Sequence, residues 1–230
     1  MAIECDASRG KAYLMGGGSS TQELRVWRLA LVVAGGLLPL VAWLDHWVFA
    51  AVQAVQWPWM AELMQAVTWL GYGAVDVGIF VALALFGWWT GDRGLWTGGL
   101  WAGGTVAVAG LASQVLKNLA CRARPTGPGA GTFFAGFPCF PAPYAYASFP
   151  SGHATTAFAA AVLLALWFPR QAGVFLGTAG LVALSRIVLG SHFPSDAVGG
   201  ALLGSSLALA AYAYLPALRE ARMRGPSGSP

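Results

Sequence analysis

Three short stretches in the second half of the sequence carry residue types suited to chemistry on an anion. The first, Lys117-Asn-Leu-Ala-Cys-Arg-Ala-Arg124-Pro125, sets two cations seven residues apart, close to two turns of a 3.6-residue helix. On a continuing helix they would share one face, with Arg124 at the helix end because Pro125 disfavours helix before it. The second, Phe149-Pro150-Ser151-Gly152-His153-Ala154-Thr155-Thr156, reads as a helix start. Ser151 is a natural N-cap, and the backbone N–H groups of Gly152 and His153 are unpaired. Such a terminus favours phosphate through its dipole and free N–H groups, and glycine lets the backbone come close. The third stretch runs from Ser185-Arg186 to His192-Phe-Pro-Ser-Asp196. Pro194 fits the first turn of a helix, leaving His192 just before that helix and Asp196 within its first turn. A carboxylate there can hold the proton on one imidazole nitrogen and leave the other bare and aimed. This is the orienting logic of catalytic triads, applied to a histidine that attacks directly.

Each stretch alone has a plainer explanation. Lys117 or Arg124 would suit snorkelling at a span end, His153 a structural hydrogen bond, and His192 with Asp196 an ordinary interfacial pair. Together they gather three cations (with Arg186), two histidines and one carboxylate. That set suits phosphoryl transfer, which must cradle an anion, supply a nucleophile and protonate a leaving oxygen.

The elements that would position these residues follow from composition. Of 230 residues, 57% are hydrophobic and 10% charged, and mean hydropathy is +0.62. An ordinary soluble domain has roughly 45–50% and 25%, so a soluble enzyme with a solvated surface is excluded. Neither heptads nor long polar tracts are present, which excludes a coiled coil or a disordered chain. The expectation is an all-α polytopic membrane protein, a bundle of six transmembrane helices at about 29–44, 70–89, 95–116, 154–168, 171–189 and 197–215. Residues 1–28 read as a mobile cytoplasmic tail without the features of a signal peptide, 29–216 as the membrane domain and 217–230 as a second cytoplasmic tail. Asp45 to Ala66 mixes three Trp with Asp45, His46 and Glu62, as an amphipathic helix on the membrane surface would. With the N-terminus inside, nine basic residues fall on the inner face and four, Lys117, Arg122, Arg124 and Arg186, on the outer. That is the asymmetry of a cytoplasmic N-terminus. The Pro-rich, aromatic connection 117–150 is then a long outer-face loop, touching either lipid headgroups or substrate. Gly99 with Gly103, and Gly200 with Gly204, have the spacing that lets membrane helices approach closely.

The three stretches, KxxxxxxRP, PSGH and SRxxxxxHxxxD, resemble the three-part signature of the type 2 phosphatidic acid phosphatases, a superfamily of lipid phosphatases, glucose-6-phosphatase and vanadium haloperoxidases. The resemblance matches every defining position and covers roughly the last half of the chain. It implies that His192 is a nucleophile forming a phosphohistidine, that Asp196 orients it, and that His153 protonates the leaving alkoxide and then activates water. It implies that Lys117, Arg124, Arg186 and the N–H groups around Ser151 and Gly152 hold the phosphoryl oxygens, with no metal and no cofactor. The implied partners are a lipid phosphate (undecaprenyl diphosphate, phosphatidic acid, phosphatidylglycerol phosphate or lipid A type) and the bilayer, with vanadate or phosphate as inhibitors and no nucleic acid. The implied location is the bacterial inner membrane, the site facing the periplasm. A phosphotransferase using the same site and a non-catalytic anion or lipid transporter remain as alternatives. Outside the signature, Arg122 would meet headgroups or solvent, Asp76 a structural hydrogen bond or the site's edge, and His46 the surface. Cys121 and Cys139 share the outer loop, where an oxidising periplasm permits a disulfide; Cys5, in the inner tail, should stay reduced.

Overall fold

The structure, a computed structural model, describes residues 7–55, 57–135, 137 and 139–223. Residues 1–6 and 224–230, the outer parts of the two expected tails, lie outside the described residues, and with them Cys5 and Arg224. All regular structure among the described residues is helical: α1 (Ala7–Ala54), α2 (Pro58–Thr68), α3 (Gly73–Thr90), α4 (Arg93–Ala120), α5 (Gly152–Trp167), α6 (Ala172–Val188), α7 (Pro194–Tyr214) and α8 (Pro216–Met223). Among the described residues, five stretches are long and apolar enough to cross a membrane: Trp27–Ala54, Gly73–Thr90, Arg93–Ala120, Pro169–Val188 and Pro194–Tyr214. The fourth expected span, Gly152–Trp167, is apolar but only 16 residues long. Residues 7–28, expected as a mobile tail, are helical from Ala7 and run directly into the first crossing.

The expected surface helix from Asp45 to Ala66 is corrected. Nothing between Val41 and Ala54 breaks a helix, so α1 continues through Asp45 to Ala54. Pro58 then occupies the first turn of α2, and Trp57 before it is extended (φ −109°, ψ 142°), as the residue preceding proline prefers. Only α2 is a separate short helix, with Trp57, Trp59 and Leu63 exposed.

Small residues set the packing. A Cβ on Gly99 would lie 2.8 Å from the Ala84 nitrogen and Phe80 oxygen of α3. On Gly200 it would lie 2.5 Å from the Ser151 oxygen, and on Gly204 closer still to the Thr155 oxygen of α5. Only glycine lets these backbones meet, so α3 sits on α4 and α5 on α7. A core of Phe80, Val106, Leu163, Leu166, Trp167 and Leu209 forms between them. α8 closes the far end, where Leu218 is fully buried and its carbonyl accepts from Trp167 Nε1 at 2.7 Å. The alternating directions of α4 to α7 bring the C-termini of α4 and α6 and the N-termini of α5 and α7 to one end of the bundle.

Candidate active site

At that end, α4 stops where Cys121 turns into the left-handed region (φ 43°), its N–H still donating to the Lys117 carbonyl at 3.0 Å. This corrects the expectation that the helix carries Lys117 and Arg124 on one face. Beyond Ala120 the chain leaves the helix, and the Ala123 and Arg124 amides donate to Thr132 and Ala145 carbonyls of the long loop at 2.9 and 2.8 Å. Cys121 and Cys139 form a disulfide, with Cα atoms 5.9 Å apart.

The loop still brings the two cations together. Lys117, buried in the last turn of α4, donates from Nζ to the Ala147 and Pro150 carbonyls at 3.0 and 2.6 Å. Arg124 lies over the Tyr144 ring, 3.8 Å from its centroid, and donates to the carbonyls of Tyr144, Ser191 and Ala147. Arg186, in the last turn of α6, donates from Nη1 to Thr68 Oγ1 at 2.8 Å, while its buried Nε has no partner among the described residues.

Ser151 is the N-cap residue of α5, as its position suggested, although its side chain caps nothing. Its N–H donates to the Asp196 carbonyl at 2.9 Å, and its buried Oγ has no partner among the described residues. Gly152 opens the helix beside Lys117; a Cβ there would lie 3.9 Å from Lys117 Cε. His153 follows, half-buried, its ring 6.2 Å from that of Tyr72. Unpaired buried donors are uncommon in folded proteins, and here they cluster with cations at a helix N-terminus, an arrangement complementary to a phosphate.

His192 lies between α6 and α7, buried, with its N–H on the Arg186 carbonyl at 3.2 Å. Nδ1 is 3.6 Å from Asp196 Oδ2, and Nε2 is 3.5 Å from Arg124 Nη1. Burial, the largest influence, pushes this imidazole down to about 3; Asp196 opposes it, while Lys117 and Arg124 add to it. The ring is therefore neutral near pH 7. Asp196 occupies the first turn of α7, where Oδ2 accepts from the Phe193 N–H at 2.8 Å and the Ser148 hydroxyl at 2.6 Å.

Sequence reasoning missed the other side of Asp196. Arg122 is not at headgroups or in solvent: it is buried, with Nη1 2.5 Å from Asp196 Oδ1 and Nη2 2.6 Å from Asp45 Oδ2. Asp45, likewise buried in α1, accepts from the Ser195 N–H at 2.8 Å. Ser195 Oγ accepts from Arg122 Nη1 at 2.7 Å and donates to Asp45 Oδ2. The only hint in the sequence was an acid within an otherwise apolar run. Asp76, in the first turn of α3, is buried with Oδ2 unpartnered among the described residues, and His46 is exposed with its ring 5.0 Å from that of Phe193.

A family model described as the PAP2 superfamily matches residues 98–220, more than half of the chain. The chain belongs to the PAP2 superfamily. All three motif stretches fall within the matched residues, whereas Asp45 and Asp76 fall outside them. The Lipid A 1-phosphatase of Rhizobium johnstonii is 37% identical over 105 residues, covering 46% of this chain and 43% of that protein. The decaprenylphosphoryl-5-phosphoribose phosphatase of Mycobacterium tuberculosis is 45% identical over 62 residues, 26% and 33% of the two chains. This PAP2 chain thus spans less than half the length of these curated relatives. Among solved structures, the transmembrane PAP2 type phosphatidylglycerolphosphate phosphatase of Bacillus subtilis gives a TM-score of 0.62 at 24% identity, covering 83% of this chain and 94% of that one. Aquifex aeolicus LpxE gives 0.56 at 22%, covering 74% and 96%. These two likenesses share the fold: a helical membrane bundle.

Proposed function

We propose that this PAP2 protein is a lipid phosphatase that removes a phosphomonoester or diphosphate headgroup phosphate through a phosphohistidine on His192. The observation that carries the reading is the setting of that ring, a neutral imidazole with Nδ1 toward Asp196 and Nε2 toward Arg124. Nε2 attacks phosphorus, the bond to the leaving oxygen breaks, and His153 gives that oxygen its proton. Water then attacks the phosphohistidine, His153 takes the water's proton, and phosphate departs with His192 restored. Lys117, Arg124, Arg186 and the α5 N-terminus at Ser151 and Gly152 would neutralise the nonbridging oxygens.

Two features support an amphiphilic substrate. A groove of about 550 Å³ between α3, α4 and α5 runs along Tyr72, Val77, Leu111 and Gly110 to Gly152 and His153, suited to a lipid chain beside the leaving group. The relatives' names, lipid A 1-phosphatase and decaprenylphosphoryl-5-phosphoribose phosphatase, also denote lipid phosphates. The charge asymmetry supports an inner-membrane protein with cytoplasmic termini and a periplasmic site. The test is phosphate release by purified protein in detergent, from a panel of lipid phosphates with EDTA present, beside His192→Ala. Release that persists in EDTA and vanishes in the variant is expected; equal release by both proteins would sink the reading.

A further inference from the structure

Asp196 is held from behind by two residues that the three motifs do not define. Its Oδ1 faces Arg122, and Arg122 also faces Asp45, so one guanidinium is shared by two carboxylates, all three groups buried. The link is stiffened at each point. Arg122 is sandwiched between the rings of Phe133 and Phe193, 4.7 and 4.9 Å from their centroids, and its Nε donates to the Gly131 carbonyl. Asp45 takes the Ser195 N–H, one of the amides in the first turn of α7 that no intrahelical carbonyl can satisfy. It therefore acts as a helix cap supplied by another helix, on the turn that carries Asp196.

We propose that Asp45 and Arg122 are positioning residues for the His192 reaction. Together they fix the Asp196 carboxylate in place and limit how strongly the guanidinium draws on it, so that Oδ2, 3.6 Å from His192 Nδ1, keeps the proton on that nitrogen. This inference rests on the proposed role of His192. The electrostatic argument is direct. Arg122 facing Asp196 alone would pair with it fully and weaken its pull on Nδ1–H; a second carboxylate on the other terminal nitrogen of the guanidinium divides that attraction. The other charged groups around the ring, Lys117 and Arg124, are cations and do not replace it. Motif positions alone would assign Asp196 its role with no contribution from α1, so a requirement for Asp45 is specific to this reading.

The chain has three histidines, so ¹⁵N NMR of histidine-labelled protein reads each ring's tautomer directly, with assignment by His46→Gln and His192→Ala. Wild-type His192 should carry its proton on Nδ1. In Asp45→Asn, which keeps the shape and the Ser195 acceptor but removes the charge, the tautomers should mix. On dioleoyl phosphatidic acid in mixed micelles, kcat should fall about tenfold or more, by analogy with the outer-shell partners that orient metal-ligating histidines, with KM unchanged. Ser195→Ala, which loosens the same link and keeps both charges, should do likewise to a smaller degree, and Arg122→Lys should retain more activity than Arg122→Gln. A merely structural Asp45 would lower the unfolding temperature and leave the tautomer as it was. An unaltered Nδ1–H tautomer in either folded variant, Asp45→Asn or Ser195→Ala, or a wild-type ring protonated on Nε2, would overturn the proposal, whether or not the micelles are hydrolysed. Release that survives His192→Ala would instead remove the phosphohistidine reading itself.

Discussion

Arg124 Nη1 lies 3.5 Å from His192 Nε2. A guanidinium can only donate, so this approach favours the tautomer with a lone pair on Nε2 and the proton on Nδ1, 3.6 Å from Asp196 Oδ2. The same contact marks Nε2 as the atom beside a cation that could hold a phosphoryl oxygen.

Asp196→Asn is therefore expected to be far more damaging than its small change in shape suggests. An amide can donate where the carboxylate could only accept, which favours the wrong tautomer at His192. Loss of such an orienting carboxylate costs roughly 10⁴-fold in kcat in a serine-protease triad. Phosphate release from a lipid phosphate in detergent checks this, and a loss smaller than about tenfold would mean that Asp196 does not orient the ring.

The acid sensitivity of the fold should carry the signature of His192. Its folded pKa is pushed down to about 3 by burial, from an ordinary 6.5, so between those values the unfolded chain binds a proton that the folded protein refuses. The contribution is fully present above about 6.5 and is lost as pH falls toward 3. Unfolding temperature in detergent should drop from pH 7 to pH 4, and more shallowly in His192→Asn. Parallel curves would assign the acid sensitivity to other groups.

The parts of this architecture that were legible in the sequence are local. Pro194 in the first turn of α7 and Ser151 ahead of α5 act through immediate neighbours, and the four-residue spacing of Gly200 and Gly204 marks a close-packing face without naming the helix it meets; α5 and α7 begin and pack accordingly. The illegible parts depend on distance in sequence or on an uncommon backbone. Arg122 finds Asp45 77 residues away, a pairing that no periodicity encodes. Cys121 ends α4 in a left-handed conformation that non-glycine residues seldom adopt, so seven-residue spacing wrongly suggested a shared helical face for Lys117 and Arg124.

The Cys121–Cys139 disulfide closes the stretch that carries both Arg122 and Arg124, with a sequence separation of 18. Closing a loop of that size stabilises a fold by ~3 kcal/mol in the chain-entropy view. The double variant Cys121→Ser/Cys139→Ser should unfold at lower temperature, and wild-type protein in dithiothreitol should behave the same way. Phosphate release should fall with it, since both arginines then sit on a longer free segment. Unchanged unfolding in reductant would show that the loop is held by its carbonyl contacts alone.

Glycine positions separate packing from propensity. A Cβ on Gly104 meets nothing within 4 Å, so Gly104→Ala should be neutral or stabilising by up to ~1 kcal/mol through helix propensity. On Gly204 it would strike the Thr155 carbonyl oxygen and come within 3.0 Å of the Ala159 nitrogen. These are backbone atoms of α5 that cannot rotate away, so Gly204→Ala should cost ~1–3 kcal/mol by forcing the helices apart. The displacement also reaches the site, because the Ser151 N–H and the Asp196 carbonyl, 2.9 Å apart, join the first turns of these same two helices. Activity in Gly204→Ala should therefore fall at temperatures where the protein remains folded, while Gly104→Ala keeps wild-type release. Full activity in Gly204→Ala would mean that the α5 and α7 termini are held in place without this contact.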